Sequence, residues 1–264
     1  MKELKKIIAD NQVTRRHFIS TSLLAMTATA MSPLFMNAQY KQTKFKAIAF
    51  DGFVIFDPRP VQTLLTELLA EKGAEFGTIW RSKQFEYTWL RTVSGKYKNF
   101  WEVTEDALTY TIKKTGVSLS TDNKQQLMQK FLELNVWPEA IQGLKELKQQ
   151  GYRLAFLSNF TKEMMQVNIQ NNKLQEYFEF QLSTDSVTAF KPSPLAYQMG
   201  INAFHLKKEE ILFAAFGAWD ATGAKSFGYP TYWVNRQQVP LEELDVTPDG
   251  TGTNFNDLMN FLKG

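Results

Sequence analysis

The sequence predicts an α/β fold: a doubly wound parallel sheet with a helical cap inserted after its first strand. Three observations carry that expectation. Short apolar runs recur along the chain, each followed by a stretch of helical periodicity, and strand–helix alternation of this kind builds parallel sheets. The rhythm is interrupted once, between Pro58 and Leu134, where helical patterns follow one another without a strand. Polar residues also stand just beyond the apolar runs, and in open α/β sheets ligands sit outside the carboxyl ends of the strands.

The first forty residues differ from the rest. Lys2, Lys5 and Lys6 precede Thr14-Arg15-Arg16-His17-Phe18-Ile19, a charge-free and mildly apolar stretch runs from Ser20 to Phe35, and small residues follow near Asn37-Ala38. An arginine pair ahead of such a stretch resembles a twin-arginine (Tat) export signal. Residues 1–38 are therefore expected to be a leader cleaved after Ala38, with the Tat export machinery as partner and the periplasm as destination. A basic amphipathic helix or a disordered tail is the competing interpretation. The Thr and Ser content and Pro33 make the stretch weak as a membrane span. The whole chain carries +3. Without the five basic and two acidic residues of the leader the body is neutral, so no basic stripe remains to recruit nucleic acid.

Within the body, Phe45–Phe50, Tyr152–Ser158, Phe178–Leu182, Ile211–Phe216 and Thr231–Asn235 are the expected strands. Helices are expected after Trp137-Pro138-Glu139 as far as Gly151, over Thr161–Leu174, Pro194–Phe204, Ala221–Phe227 and Asn256–Lys263. Residues 39–57 and 135–264 then form the α/β core. Residues 58–134 form the cap, with helices expected over Val61–Lys72, Gly77–Thr92, Trp101–Lys114 and Thr121–Leu134. Gly95, Gly116 and Ser118-Leu119-Ser120-Thr121 punctuate them.

With no cysteine, thiol nucleophiles, disulfides and Cys-type zinc sites are excluded. The two histidines are His17, in the leader, and His205, in a helix-to-strand loop and expected to be structural. Met164 and Met165 are expected to pack in the core. Four polar clusters remain, each at an expected strand end or in the loop after it. They are Asp51, Ser158-Asn159, the run Phe190-Lys191-Pro192-Ser193-Pro194-Leu195-Ala196-Tyr197, and Phe216-Gly217-Ala218-Trp219-Asp220. Singly, each has a bland explanation: Asp51 as a turn cap, Ser-Asn as a helix N-cap, Lys191 as a solvated lysine, Asp220 as a helix cap. Together they place a carboxylate, an ammonium and a second carboxylate at one edge of one sheet.

Their order and spacing resemble the haloacid dehalogenase superfamily, and within it the (S)-2-haloacid dehalogenases, from about Phe45 to the C-terminus. Trp80-Arg81-Ser82-Lys83-Gln84-Phe85 looks like the cap helix that bears the family's substrate arginine, here Arg81. Asn99-Phe100-Trp101 resembles a pocket-lining segment, and Ala218-Trp219-Asp220-Ala221-Thr222-Gly223-Ala224 resembles the final motif. The resemblance implies that Asp51 displaces halide from C2 of a small 2-haloacid, forming an aspartyl ester that water hydrolyses. An aspartate side chain, which ordinarily titrates at about 3.9, is already ionised near neutrality, so it needs alignment and a charge partner, not a base. By the same resemblance Lys191 keeps Asp51 anionic, Tyr197 orients Lys191, and Asp220 serves the hydrolytic water. Arg81 and Asn159 stabilise the halide, Ser158 holds the substrate carboxylate, and Trp219 joins the substrate-binding set. No cofactor and no metal are expected, and a homodimer is an assembly the family often forms. Phe53 stands where superfamily phosphatases resemble one another in carrying a second Asp, which counts against phosphate-ester chemistry.

Three positions depart from the dehalogenase pattern. Ile55 replaces a threonine, and Ala215 and Gly217 replace a serine and an asparagine expected to hold the nucleophile and the water. Loss of one preorganised donor costs roughly 10² to 10³ in rate, about 2.7–4 kcal/mol. Ile55 and Ala215 are further expected to make the pocket floor apolar. Two functions therefore compete: a working hydrolase, and an impaired relative that binds a small anion or traps the ester.

Overall fold

The computed structural model describes residues 45–264, so the expected leader and its cleavage point lie outside the described residues. Six parallel strands form the main sheet in the order β5-β4-β1-β6-β7-β8. They are β1 (Ala47–Phe50), β4 (Arg153–Ser158), β5 (Phe180–Ser183), β6 (Ile211–Ala215), β7 (Thr231–Val234) and β8 (Gly250–Gly252). The first five match the expected runs within about two residues; β8, a Gly-Thr-Gly tripeptide, has no apolar signature to find. A separate antiparallel pair joins β2 (Phe56–Asp57) to β3 (Asn135–Val136). It ties the two ends of the helical insertion together.

The strands read as near-continuous apolar runs because both faces of the sheet are covered. Side chains alternate between two hydrophobic clusters along each strand. On one face lie Ile48, Phe50, Leu154, Phe156, Leu212, Ala214, Tyr232 and Val234. They meet α6 (Ala140–Gln149), α7 (Lys162–Asn171) and α10 (Phe255–Lys263) through Leu144, Leu147, Met164, Met165, Phe255 and Leu258. On the other face Ala47, Ala49, Ala155, Leu157, Ile211, Phe213 and Trp233 meet α8 (Pro194–Phe204) and α9 (Ala218–Phe227). Met164 and Met165 are core side chains, as expected.

β1 is followed by a single helical turn, α1 (Gly52–Ile55), and then by four helices: α2 (Arg59–Leu69), α3 (Lys72–Val93), α4 (Phe100–Thr115) and α5 (Thr121–Gln129). Local chemistry sets their bounds. Asn99 and Glu102 form a reciprocal capping box at the start of α4, and Gly116 ends it in the left-handed region at φ 66°. Ser120 caps α5 through the Asn123 N–H. Helix α3 starts five residues earlier than expected, because Gly73 and Gly77 lie where a Cβ would strike the Leu65 carbonyl and the Gln62 side chain. The glycines let α2 and α3 approach closely; they do not break the helix. Helix α6 begins at Ala140, past Trp137-Pro138-Glu139, which form a turn instead of a first helical turn.

Candidate active site

Asp51, Ser158-Asn159 and the Gly217–Asp220 segment follow β1, β4 and β6, which are adjacent, and Lys191 comes from the connection between β5 and α8. All four therefore converge on one carboxyl edge, as the strand-end pattern predicts. The Asp51 N–H donates to the Ala214 carbonyl at 2.9 Å, which stitches the Asp51 loop to β6. Asp51 is also the N-cap of α1: its Oδ1 accepts from the Phe53 N–H at 3.0 Å. Capping and chemistry are thus one arrangement, since the cap fixes one oxygen and leaves the carboxylate oriented.

Lys191 is fully buried, and its Nζ donates to Asp51 Oδ2 and to Asp220 Oδ2, each at 2.7 Å. Burial alone pulls an ammonium pKa down, but the two carboxylates outweigh it and hold Lys191 above its ordinary value. Burial drives Asp220 the other way, up to about 6, against the attraction of Lys191 and with the repulsion of Asp51 adding to it. Asp220 Oδ1 accepts from the Tyr197 hydroxyl at 2.7 Å. Burial beside that carboxylate pushes the Tyr197 phenol well above its usual range, so it stays a donor. Lys191 is held through its backbone as well, its N–H donating to Asn159 Oδ1 at 3.0 Å.

A cavity of about 1010 Å³ opens over this edge, lined by Asp51, Ser158, Asn159, Trp219, Asp220 and, from α3, Arg81. Its walls are aromatic: Phe53 meets Phe160 edge-on at 5.0 Å and Phe216 at 5.8 Å, and Phe100 lies 5.9 Å from Phe160. The Asn159 Nδ2 is buried and has no hydrogen-bond partner among the described residues. The Ser158 hydroxyl accepts from the Phe160 N–H. Arg81 is exposed at the rim.

Several expectations need correction. Tyr197 does not line the cavity, and among the described residues its hydroxyl hydrogen-bonds to Asp220 and not to Lys191; it is fully buried behind that carboxylate. Helix α8 carries it on the far face of the sheet, which a strand-end pattern cannot reveal. Ile55 and Ala215 do not form a pocket floor. Both are fully buried, one in each core cluster, and only Gly217 of the three departures lines the cavity. Of Asn99-Phe100-Trp101, Phe100 alone lines it, Asn99 being the α4 cap. His205 ends α8 in the left-handed conformation with φ 53°, a structural position as expected.

Sequence reasoning missed a stacked group on the cavity wall. The Arg236 and Arg59 guanidiniums lie 3.9 Å and 4.7 Å from the Trp137 ring centroid, and the Trp137 N–H donates to the Phe53 carbonyl at 2.9 Å. Arg59 pairs with Asp57, and Arg236 with Glu139 at 2.7 Å. These residues come from three separate segments with no shared motif, so no local signal marks them.

Comparison with known proteins agrees with this geometry. The family model for haloacid dehalogenase-like hydrolases matches residues 45–228. The chain is similar to haloacetate dehalogenase H-2 of Moraxella sp. (strain B), with 39% identity over 79% of this chain and 93% of the relative. It is also similar to the (S)-2-haloacid dehalogenase of Pseudomonas sp. (strain YL), 36% identical over 83% of this chain and 94% of that one. A solved structure of the L-2-haloacid dehalogenase from Xanthobacter autotrophicus with chloropropionic acid covalently bound superimposes with a TM-score of 0.76 at 28% identity, covering 83% of this chain and 99% of that one. A sheet edge carrying Asp51, Lys191 and Asp220, matched over this much of the chain, makes the protein a member of the haloacid dehalogenase-like hydrolase family.

Proposed function

We propose that this protein hydrolyses the carbon–halogen bond of a small (S)-2-haloacid, giving the 2-hydroxy acid. The observation that carries the proposal is the buried Lys191 ammonium, 2.7 Å from both Asp51 and Asp220. A carboxylate oxygen of Asp51 attacks C2, the halide leaves with the bonding pair, and C2 is inverted. Water then adds to the Asp51 carboxyl carbon, its proton passing to Asp220, and the C2 oxygen departs with that proton as the hydroxy acid. Phe53 offers no acid for a phosphate ester, and the positive charge between the carboxylates is supplied by Lys191. Arg81 and Asn159 are assigned to the halide and Ser158 to the substrate carboxylate. Residues 58–134 are assigned the part of a cap that keeps water from the site.

An impaired anion binder is not favoured, because the Asp51–Lys191–Asp220–Tyr197 network is intact and the relatives are dehalogenases. Chloride release from (S)-2-chloropropionate tests the proposal, with Asp51→Asn as the inactive control; no release from the native enzyme, or equal release from the variant, refutes it. We also propose export through the Arg15-Arg16 leader to the periplasm, tested by cell fractionation with Arg15→Lys/Arg16→Lys retained in the cytoplasm. The homodimer that the family resemblance implies is tested by light scattering.

A further inference from the structure

We infer that the Trp219 indole N–H is the donor that holds the attacking water during ester hydrolysis, in the space left by Gly217. The inference rests on the haloacid reaction proposed above. Gly217 has φ −84° and ψ 145°, a conformation open to every residue, so its backbone does not require glycine. Space does. A Cβ at 217 would lie 2.8 Å from Trp219 Nε1, 3.2 Å from Cδ1 and 3.3 Å from Cε2. The pyrrole edge of the indole, nitrogen foremost, thus occupies the volume a side chain at 217 would need. Gly217 is also the N-cap of α9 and supplies no side-chain bond there, although an Asn or Ser at such a position is a favoured cap. The chain has given up that cap to seat the indole.

The indole is held firmly. Phe85 and Trp89 of α3 pack against it, with ring centroids 5.1 Å and 5.7 Å away. Its N–H remains uncommitted. The N–H groups of Trp80, Trp137 and Trp233 donate to the carbonyls of Thr104, Phe53 and Phe216. That of Trp219 meets no acceptor among the described residues, and the residue lines the cavity beside Asp51 and Asp220. A half-buried indole N–H that lines a cavity beside two carboxylates calls for water or ligand.

Strand order decides between them. Ser158 and Asn159 flank Asp51 on the β4 side; Gly217, Trp219 and Asp220 flank it on the β6 side. Water that attacks the Asp51 carboxyl carbon must lie within reach of Asp220, so it lies on the indole's side. The N–H donates to one lone pair of that water, one O–H points to Asp220, and the second lone pair faces the ester carbon. As the C–O bond forms, the proton passes to Asp220; it then goes to the departing C2 oxygen, and Asp51 is regenerated.

Rapid-quench kinetics and intact mass with (S)-2-chloropropionate test this on Trp219→Phe and on Trp219→Phe/Gly217→Asn. Trp219→Phe keeps an aromatic wall but loses the donor. Measured against its own first-turnover chloride burst, steady turnover is expected to fall about 10²-fold. An adduct of the acid less hydrogen chloride then accumulates on Asp51. In the double variant the asparagine amide enters the vacated volume and turnover recovers at least about tenfold. Unchanged turnover in Trp219→Phe, a burst slowed as much as turnover with no adduct, or a double variant no faster than the single one would overturn the inference. Absence of chloride from the native enzyme would instead bring down the haloacid reaction itself, and the inference with it.

Discussion

Replacing Lys191 by Met removes the charge from the centre of the site while nearly keeping its volume. Asp51 and Asp220 then face each other across a dry space, each having lost a 2.7 Å charged hydrogen bond. Breaking a buried ion pair by removing one partner costs about 3–5 kcal/mol. Lys191 is held above its ordinary 10.5, so its stabilising contribution is complete below that pH and fades only as pH rises through the raised value. At pH 7 the variant bears the whole loss unless Asp220 takes up a proton. It does so, because Asp220 already stands at about 6 with the lysine present and loses the cation that lowers it. The acid limb of steady turnover should therefore move to higher pH, and urea midpoints should fall more at pH 8 than at pH 5. The chloride burst should drop at least about tenfold, because Asp51 loses the ammonium that holds it in place. A burst within about twofold of native, with the acid limb unmoved, refutes the assignment of Lys191 as the charge that holds Asp51 and lowers Asp220.

Other consequences are simpler to measure. Native turnover should decline as pH falls through about 6, because Asp220 must be unprotonated to accept the water's proton; stopped assays from pH 4 to 8 locate that limb. Tyr197→Phe removes a donor that lowers the Asp220 pKa, so the same limb should move to higher pH and ester hydrolysis should slow about tenfold with the burst retained. Arg236→Ala leaves Glu139 without its partner and Trp137 without its closer cation; urea denaturation should show a loss of about 1–3 kcal/mol.

How much of this could be read from the chain follows from where the information sits. Strands β1, β4 and β6 are covered on both faces and so appear as unbroken apolar runs, with boundaries visible to within two residues. Asp51 was legible because it directly follows such a run, and Asp220 because it lies in the first helical turn after one. Lys191 lies on a long connection, where spacing alone leaves it a surface lysine; the family resemblance, not periodicity, singled it out. Tyr197 was found for the wrong reason, since a helix residue that reaches the site only through Asp220 has no strand-end mark. The stack of Arg59, Trp137 and Arg236 was illegible because its members are assembled by tertiary packing. The early start of α3 was illegible for the same reason, since Gly73 and Gly77 serve helix–helix approach, which only the packing of α2 on α3 reveals.

Charge balance explains why the cavity needs an arginine that protein carboxylates have not claimed. Asp51, Lys191 and Asp220 together carry one net negative charge once Asp220 is ionised, in a site where all three are buried. A 2-haloacid brings another carboxylate, and like charges about 4 Å apart repel by about 4 kcal/mol at an effective dielectric of 20. Three arginines line the cavity. Arg59 is spent on Asp57 and Arg236 on Glu139, leaving Arg81 with no carboxylate partner among the described residues. Its exposure at the rim costs little desolvation while the site is empty. In the proposed reaction the substrate carboxylate would supply that anion, and the negative charge that Asp51 gives up on forming the ester would appear on the halide, so attraction to Arg81 would grow as the carbon–halogen bond breaks. An arginine already paired within the protein would have to surrender one carboxylate to accept another, and could not favour the departing ion in this way.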